Sequence, residues 1–498
     1  MIKSNSRKKA VLIQASGGYI NTAISITQGL LLLPIYFKFI SFSAYGYWVT
    51  IGSIVALLGI INFGLGSVVI QKISQSYAKK DFEKVGAYFV NGQILYFIIV
   101  ILFLIIGYVL SFWLQNILSY DDAQSELFLQ AYYLALIAAA LVIISNSVKS
   151  FTQALLLPQF AVYSTIISRI IGIFLTIIML YNNIGLLAIP IGMFITELLI
   201  CLTNVVYAYK QYRKLKVKAS LNKNIVFEYL NLSPYLFLLM VGDLLSNNAF
   251  PLIVTTFLGA EMTAAYTVTR KAITIILQAL NVFNASLIAP FSNLVGEGNN
   301  EKIKNISVII VGSSFFLGLI TFGTYITTNS IFVSLWISEK VVLPQSVIFA
   351  MGGGALFYAM TRLFRSLLFG LAEFKFASMM VFCEGTVFII MSLILIKFWG
   401  IAGVALASLL ASFLIALVLG YRLVVKLQIK ANKAIVVKEA FMLIFVLVFI
   451  EFVIQFQQSS LLSFALLSLV SIVGIALIEI TINYKYFERI KFKKKVKC

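Results

Sequence analysis

YWVTIGSIVALLGIINFGLGS (residues 47–67) decides the fold once it is set beside YTVTRKAITIILQALNVFNAS (residues 266–286). Both segments open on Tyr-x-Val-Thr, and Asn62 and Ser67 meet Asn281 and Ser286 at the same offset. Each is an apolar run of about 20 residues, the length that crosses a bilayer as a helix. Working outward, the loops that follow carry Glu83-Lys84 and Glu301-Lys302, and the next apolar runs end on Ser111-Phe-Trp113 and Ser334-Leu-Trp336. Further on, KSFTQALLLPQFA from Lys149 aligns with RSLLFGLAEFKFA from Arg365, and Pro34 and Pro251 fall at matching depth. The consistent order at a period of 216–223 residues is the signature of an internally repeated transporter bundle.

Composition bounds the same answer. The chain has 498 residues, of which 61% are hydrophobic and only 11% charged, and its mean hydropathy is +1.01. That lies outside the soluble globular range and predicts an all-α polytopic membrane protein. Fourteen spans are predicted, at 12–37, 43–70, 87–114, 127–148, 161–181, 185–209, 233–258, 263–289, 306–328, 346–368, 377–397, 400–425, 439–457 and 461–484. The N-terminal run follows Lys3, Arg7, Lys8 and Lys9 without a small-residue cleavage site, so it reads as span 1 and not as a signal peptide. Six spans separate the copies, which gives the halves parallel orientation. The expected organisation is a bundle over 1–215, a second over 216–430, and an appendix of two helices with a basic tail over 431–498.

The net charge of +20 comes from cations in short segments between apolar runs, a topology signal and not a nucleic-acid surface. Lys72, Lys79, Lys80, Lys84, the cluster from Lys210 to Lys223, Lys426 to Lys438 and Lys485 to Lys497 all fall on the side of the termini. The other side has little beyond Lys38, Lys340 and Lys397, with Asp121, Asp122 and Glu126 in one loop. Both termini are therefore expected in the cytoplasm. The tail KFKKKVKC is expected to meet membrane lipids. Histidine is absent and Cys201, Cys383 and Cys498 are far apart, so no disulfide framework, metal site, catalytic residue or cofactor is expected.

Two similar bundles create a cavity between them, and polar residues at membrane depth are its expected lining. Span 1 places Gln14, Gly18, Asn21, Ser25 and Gln28 on one face, and span 8 does the same with Thr267, Arg270, Thr274, Gln278 and Asn281. Span 7 adds Asp243, Asn247, Pro251 and Thr255. Such stripes also serve helix–helix hydrogen bonding. Arg270 and its neighbour Lys271 stand out, because a cation at the centre of a span costs at least about 2.5 kcal/mol. Asp243 pairs with Arg270 or leaves it for an anionic ligand. Arg169, Glu197, Glu384, Glu451 and Glu479 are further intramembrane charges.

Four stretches carry a family resemblance: Tyr45-Gly46-Tyr47-Trp48, Asn62-Phe-Gly-Leu-Gly66, Ala265-Tyr266 and Gly370-Leu-Ala-Glu-Phe-Lys375. With them the chain resembles, over its whole length, the polysaccharide flippases (Wzx-like, O-antigen) of the multidrug/oligosaccharidyl-lipid/polysaccharide exporter superfamily. The resemblance implies a bacterial inner-membrane protein that flips an undecaprenyl-pyrophosphate-linked oligosaccharide, beside a glycan polymerase or other assembly proteins. It implies ligand contacts at cavity cations: Arg270 first, then Lys38, Lys271 and Arg169. Asn21, Ser25, Gln28, Thr274, Gln278 and Asn281 suit glycan hydroxyls, and Asp243 and Glu197 suit an ion or charge-pair role. A multidrug or metabolite antiporter, lipid II flipping and a membrane glycosyltransferase or glycan polymerase are the alternatives. The short outer loops weigh against the enzymes.

Overall fold

The computed structural model describes residues 4–482 apart from 63–64, 119–123, 216–220, 232–233, 299 and 430–432. The basic tail and the Asp121–Asp122 pair lie outside the described residues. Seventeen helices follow one another among them, with short 3-10 turns and no strand. In a bilayer only a helix can satisfy its own backbone within one segment, so this is the expected solution. Large apolar side chains such as Phe97, Ile105, Phe174, Ile178, Leu417 and Val448 are exposed along these helices. An outward apolar surface of that kind suits a hydrocarbon solvent, and the chain is a multi-pass membrane protein.

Residues 1–264 and the residues from 265 onward form two compact units. The first contains α1 (Ser4–Phe39), α2 (Phe42–Leu58), α3 (Leu65–Ala78), α4 (Phe82–Ser111), the short α5 (Leu114–Leu118), α6 (Ser125–Ala154), α7 (Gln159–Tyr181), α8 (Ala188–Lys214), α9 (Lys223–Asn231) and α10 (Pro234–Leu258). α11 (Ala260–Ser286) begins in it. The second continues through α12 (Ile288–Gly296), α13 (Asn300–Trp336), α14 (Gln345–Gly370), α15 (Phe374–Lys426), α16 (Lys433–Ile454) and α17 (Leu461–Ile482).

In the first unit α10 packs on α2. Thr50 Oγ1 donates to the Pro251 carbonyl at 3.4 Å and meets Thr255 Oγ1 at 2.5 Å, and Ser53 donates to the Asn248 carbonyl. These bonds fall where Pro251, lacking an N–H, interrupts the helix ladder. Gly46 explains its own motif, because a methyl group there would lie 1.8 Å from the Ala260 carbonyl oxygen. α7 and α8 cross through a reciprocal small-residue contact: Gly172 faces Thr196, and Gly192 faces Thr176. In the second unit the last two helices pack on α13. Gln457 donates to the Thr327 carbonyl at 2.7 Å, Ser330 donates to Gln457 at 3.0 Å, and the Thr327 and Ser471 hydroxyls are 2.8 Å apart.

Eleven helices among the described residues are long and apolar enough to span, against fourteen spans predicted. Three places account for the difference. α15 reverses at Gly400 (φ 52°, ψ −131°). A methyl on Gly403 would sit 2.2 Å from the Leu395 carbonyl oxygen, whereas eight residues of straight helix span about 12 Å. α15 is thus a hairpin covering the predicted 377–397 and 400–425. α11 is 27 residues long but carries Glu261, Arg270 and Lys271. α16 offers only the shorter apolar stretch Leu443–Ile454. The predicted span 43–70 is also two helices, broken at the turn Gly59–Asn62 within a glycine-rich run.

The turns of the two halves repeat. Residues with left-handed φ occur at Lys80 and Gly298, Leu156 and Ala372, and Asn183 and Gly400, separated by 218, 216 and 217 residues. Around Leu156 and Ala372 the hydrogen bonds are the same. The αL residue donates three residues back (Gln153, Phe369) and its successor five residues back (Thr152, Leu368), which is the Schellman closure of a helix.

Candidate functional site

Each unit has its own polar centre at membrane depth. In the first unit the predicted Arg169, Asn21 and Ser25 come together. Arg169, on α7, donates from Nη1 to Ser25 Oγ at 2.5 Å and to the Asn21 carbonyl at 3.4 Å on α1. Lys149 on α6 and Glu197 on α8 lie within electrostatic reach of Arg169 and of each other, with Cys201 one turn beyond Glu197. All three charged side chains are half-buried. Among the described residues none of the three forms an ion pair, Lys149 and Glu197 make no side-chain hydrogen bond, and the Asn21 side-chain oxygen is buried without a partner. Gln28 lies one turn on from Ser25 along α1. Lys38 is exposed in the last turn of α1, where a cation complements the helix C-terminus, about 20 Å along the helix from Ser25.

In the second unit Arg270 is half-buried on α11 within reach of the Tyr266 and Tyr325 hydroxyls. Its backbone is fixed from α13: Tyr325 Oη donates to the Thr269 carbonyl at 3.0 Å, and Asn329 Nδ2 to the same oxygen at 3.2 Å. Lys271 is half-buried beside it, Asn281 is half-buried and Gln278 exposed, so the predicted stripe is partly open. Thr274 turns its hydroxyl to the Arg270 carbonyl at 2.9 Å, within its own helix. Asp243 is half-buried on α10, in the first unit, and its carbonyl accepts from Asn247 Nδ2 at 2.8 Å.

Sequence reasoning missed Arg362. It is 1% exposed on α14 and faces Glu384 on α15 at 3.7 Å, with Tyr358 stacked 4.1 Å below the guanidinium. Glu384 also accepts from Ser412 at 3.0 Å and from Thr361 at 3.5 Å. The signal was available: Arg362 and Glu384 stand eleven residues either side of the turn residue Glu373, which puts them at one depth in a helical hairpin. Lys149 had appeared only as a landmark of the repeat.

Outside the spans two carboxylates act as clamps. Lys72 and then the Tyr88 hydroxyl hold Glu228 of α9 below the usual carboxylate range. Tyr229 donates to the Tyr88 carbonyl at 2.8 Å, so α9 is fastened to α3 and α4. In the second unit Lys426 and Arg422 hold Glu373 down likewise, with Arg422 Nη2 at 2.9 Å.

Residues 43–178 match the family model MatE. The lipid II flippase MurJ, in an inward closed conformation, superposes with a TM-score of 0.73 at 15% identity, covering 96% of this chain and 100% of that one. An inward-facing multidrug resistance MATE family transporter of the MOP superfamily gives 0.59 at 14%, covering 78% and 95%. An outward-facing one gives 0.56 at 15%, covering 85% and 97%. The chain has the fold of these transporters. No curated protein matches its sequence. The two centres, Arg169–Ser25–Glu197–Lys149 and Arg270–Tyr266–Tyr325, are the candidate functional groups.

Proposed function

We propose that this protein is a flippase that carries an undecaprenyl-pyrophosphate-linked oligosaccharide from the inner to the outer leaflet of the bacterial cytoplasmic membrane by alternating access. The observation that carries the reading is the likeness to a lipid II flippase along 96% of the chain and the whole of that protein. Lipid II and lipid-linked oligosaccharides pose one physical problem: a charged, hydroxyl-rich head must cross while its tail stays in hydrocarbon. Arg270 and Lys271 supply fixed cations for the pyrophosphate, and a guanidinium is well suited to phosphate oxygens. Asn21, Ser25, Gln28, Gln278 and Asn281 serve glycan hydroxyls, with Lys38 at the outer end of α1. Asp243 takes the ion or charge-pair role. Both termini face the cytoplasm in this reading, and a glycan polymerase or another assembly protein receives the product.

A cation-coupled multidrug or metabolite antiporter is the second reading, favoured by the MatE match over residues 43–178. Expression in strains that each lack one defined flippase separates the two. Restored surface glycan in an O-antigen flippase mutant supports the proposal. Drug resistance without glycan export in any strain overturns it.

A further inference from the structure

The charges of the first unit are arranged in a way that helix packing alone leaves unexplained. Lys149, Arg169 and Glu197 come from three different helices, α6, α7 and α8, and sum to one net positive charge at membrane depth. Each such ion carries a penalty for the hydration that partial burial removes. Arg169 relieves part of its own by two bonds to neutral oxygens on α1, which fix the guanidinium without neutralising it. Lys149 keeps all three ammonium donors unused, and Glu197 keeps both carboxylate oxygens unused, among the described residues. The buried Asn21 side-chain oxygen is a further idle acceptor on the residue whose backbone holds Arg169.

One idle cation (Lys149), one cation bonded only to neutral oxygens (Arg169) and two idle acceptors define a complementary ligand. Its anionic group neutralises Lys149 and Arg169, and its hydroxyls donate to Glu197 and Asn21. A phosphate ester alone fills the first role and leaves the acceptors idle. A neutral sugar fills the second and leaves the cations bare. A sugar acid fills both. We propose that Lys149, Arg169, Glu197 and Asn21 form a second polar site in the first unit that takes an acidic sugar of the transported glycan, its carboxylate on Lys149 and Arg169 and its hydroxyls on Glu197 and Asn21. The inference rests on the flippase reading and deepens it by naming the class of head group. It uses none of the residues assigned to the pyrophosphate.

The test is binding of free monosaccharides to the purified full-length protein in detergent, followed by thermal unfolding and by isothermal titration. D-glucuronate raises the unfolding temperature saturably, and D-glucose and inorganic phosphate at the same concentrations do not. Lys149→Gln weakens glucuronate binding at least tenfold, and Lys340→Gln, at an exposed cation outside both centres, leaves it unchanged. Glu197→Gln keeps anion binding but removes the preference for glucuronate over acetate, a readout that a purely structural role would not move. Equal effects of glucose and glucuronate, phosphate binding that displaces glucuronate, or full glucuronate affinity in Lys149→Gln each overturn the proposal. Binding failure beside successful complementation removes this site and leaves the flippase reading standing.

Discussion

The charged cluster on α6, α7 and α8 and the Arg362–Glu384 pair on α14 and α15 have opposite characters. In the second unit Arg362 and Glu384 are fully buried and face each other, with Ser412, Thr361 and Tyr358 around them. In the first unit Lys149, Arg169 and Glu197 are half-buried and form no ion pair among themselves. A buried pair of opposite charges serves packing, and removing one member strands the other. Charges without an ion pair in an apolar bundle carry a cost without such a return, which is the ground for the second site proposed above. The turns recur between the two units, while one charge cluster is a buried pair and the other is half-buried.

The strongest way to break this contrast is to delete one acid from each centre. Glu384→Ala strands Arg362 and is expected to cost about 3–5 kcal/mol, seen as a large drop in unfolding temperature or as loss of folded protein. Glu197→Ala is expected to change stability by about 1 kcal/mol or less. Equal losses in the two variants would erase the distinction between them.

Next in size is the close contact that holds α2 against the start of α11. Gly46→Val places carbon inside the Ala260 carbonyl and is expected to cost about 1–3 kcal/mol. Gly52→Ala, with open space around it, is expected to be neutral or to gain up to about 1 kcal/mol. Thermal unfolding of the two variants in one detergent gives the comparison.

The acid clamps give a pH test. Glu228 and Glu373 are both held below the usual carboxylate range, by Lys72 and by Lys426 respectively as the first cause. A depressed pKa gives stability that is present above the unfolded value, about 4.3, and lost as pH falls through the folded one. Amide protection of α9 and of the α14–α15 turn should therefore hold from pH 7 to 5 and fall only in stronger acid. Glu228→Gln should release α9 at every pH and leave the α14–α15 turn protected. Smallest is the relief of the left-handed turns: Ala372→Gly and Leu156→Gly should each stabilise by less than about 1 kcal/mol, equally in the two units.

Much of the fold was legible because apolar length and internal repetition are one-dimensional signals. The run 47–67 and its copy at 266–286 revealed the repeat, and the turns at Leu156 and Ala372 recur at the interval read from the sequence. The break at Gly59–Asn62 was hidden because hydropathy does not fall there. Arg169 with Asn21 and Ser25 could be named as candidates but not joined, since their meeting depends on how α7 packs on α1. Arg362 was overlooked because a cation eight residues from the end of its helix resembles an interfacial one until Glu384 is set at equal depth across the hairpin.

The most direct measurement is flipping in proteoliposomes that carry a fluorescent undecaprenyl-pyrophosphate oligosaccharide. Movement is scored by the label's accessibility to a membrane-impermeant quencher. Protein-dependent exchange between leaflets is expected, falling at least tenfold in Arg270→Ala, while that variant inserts and unfolds like the parent. Exchange no faster than in protein-free vesicles, with accumulation of an organic cation in the same preparation, would contradict it.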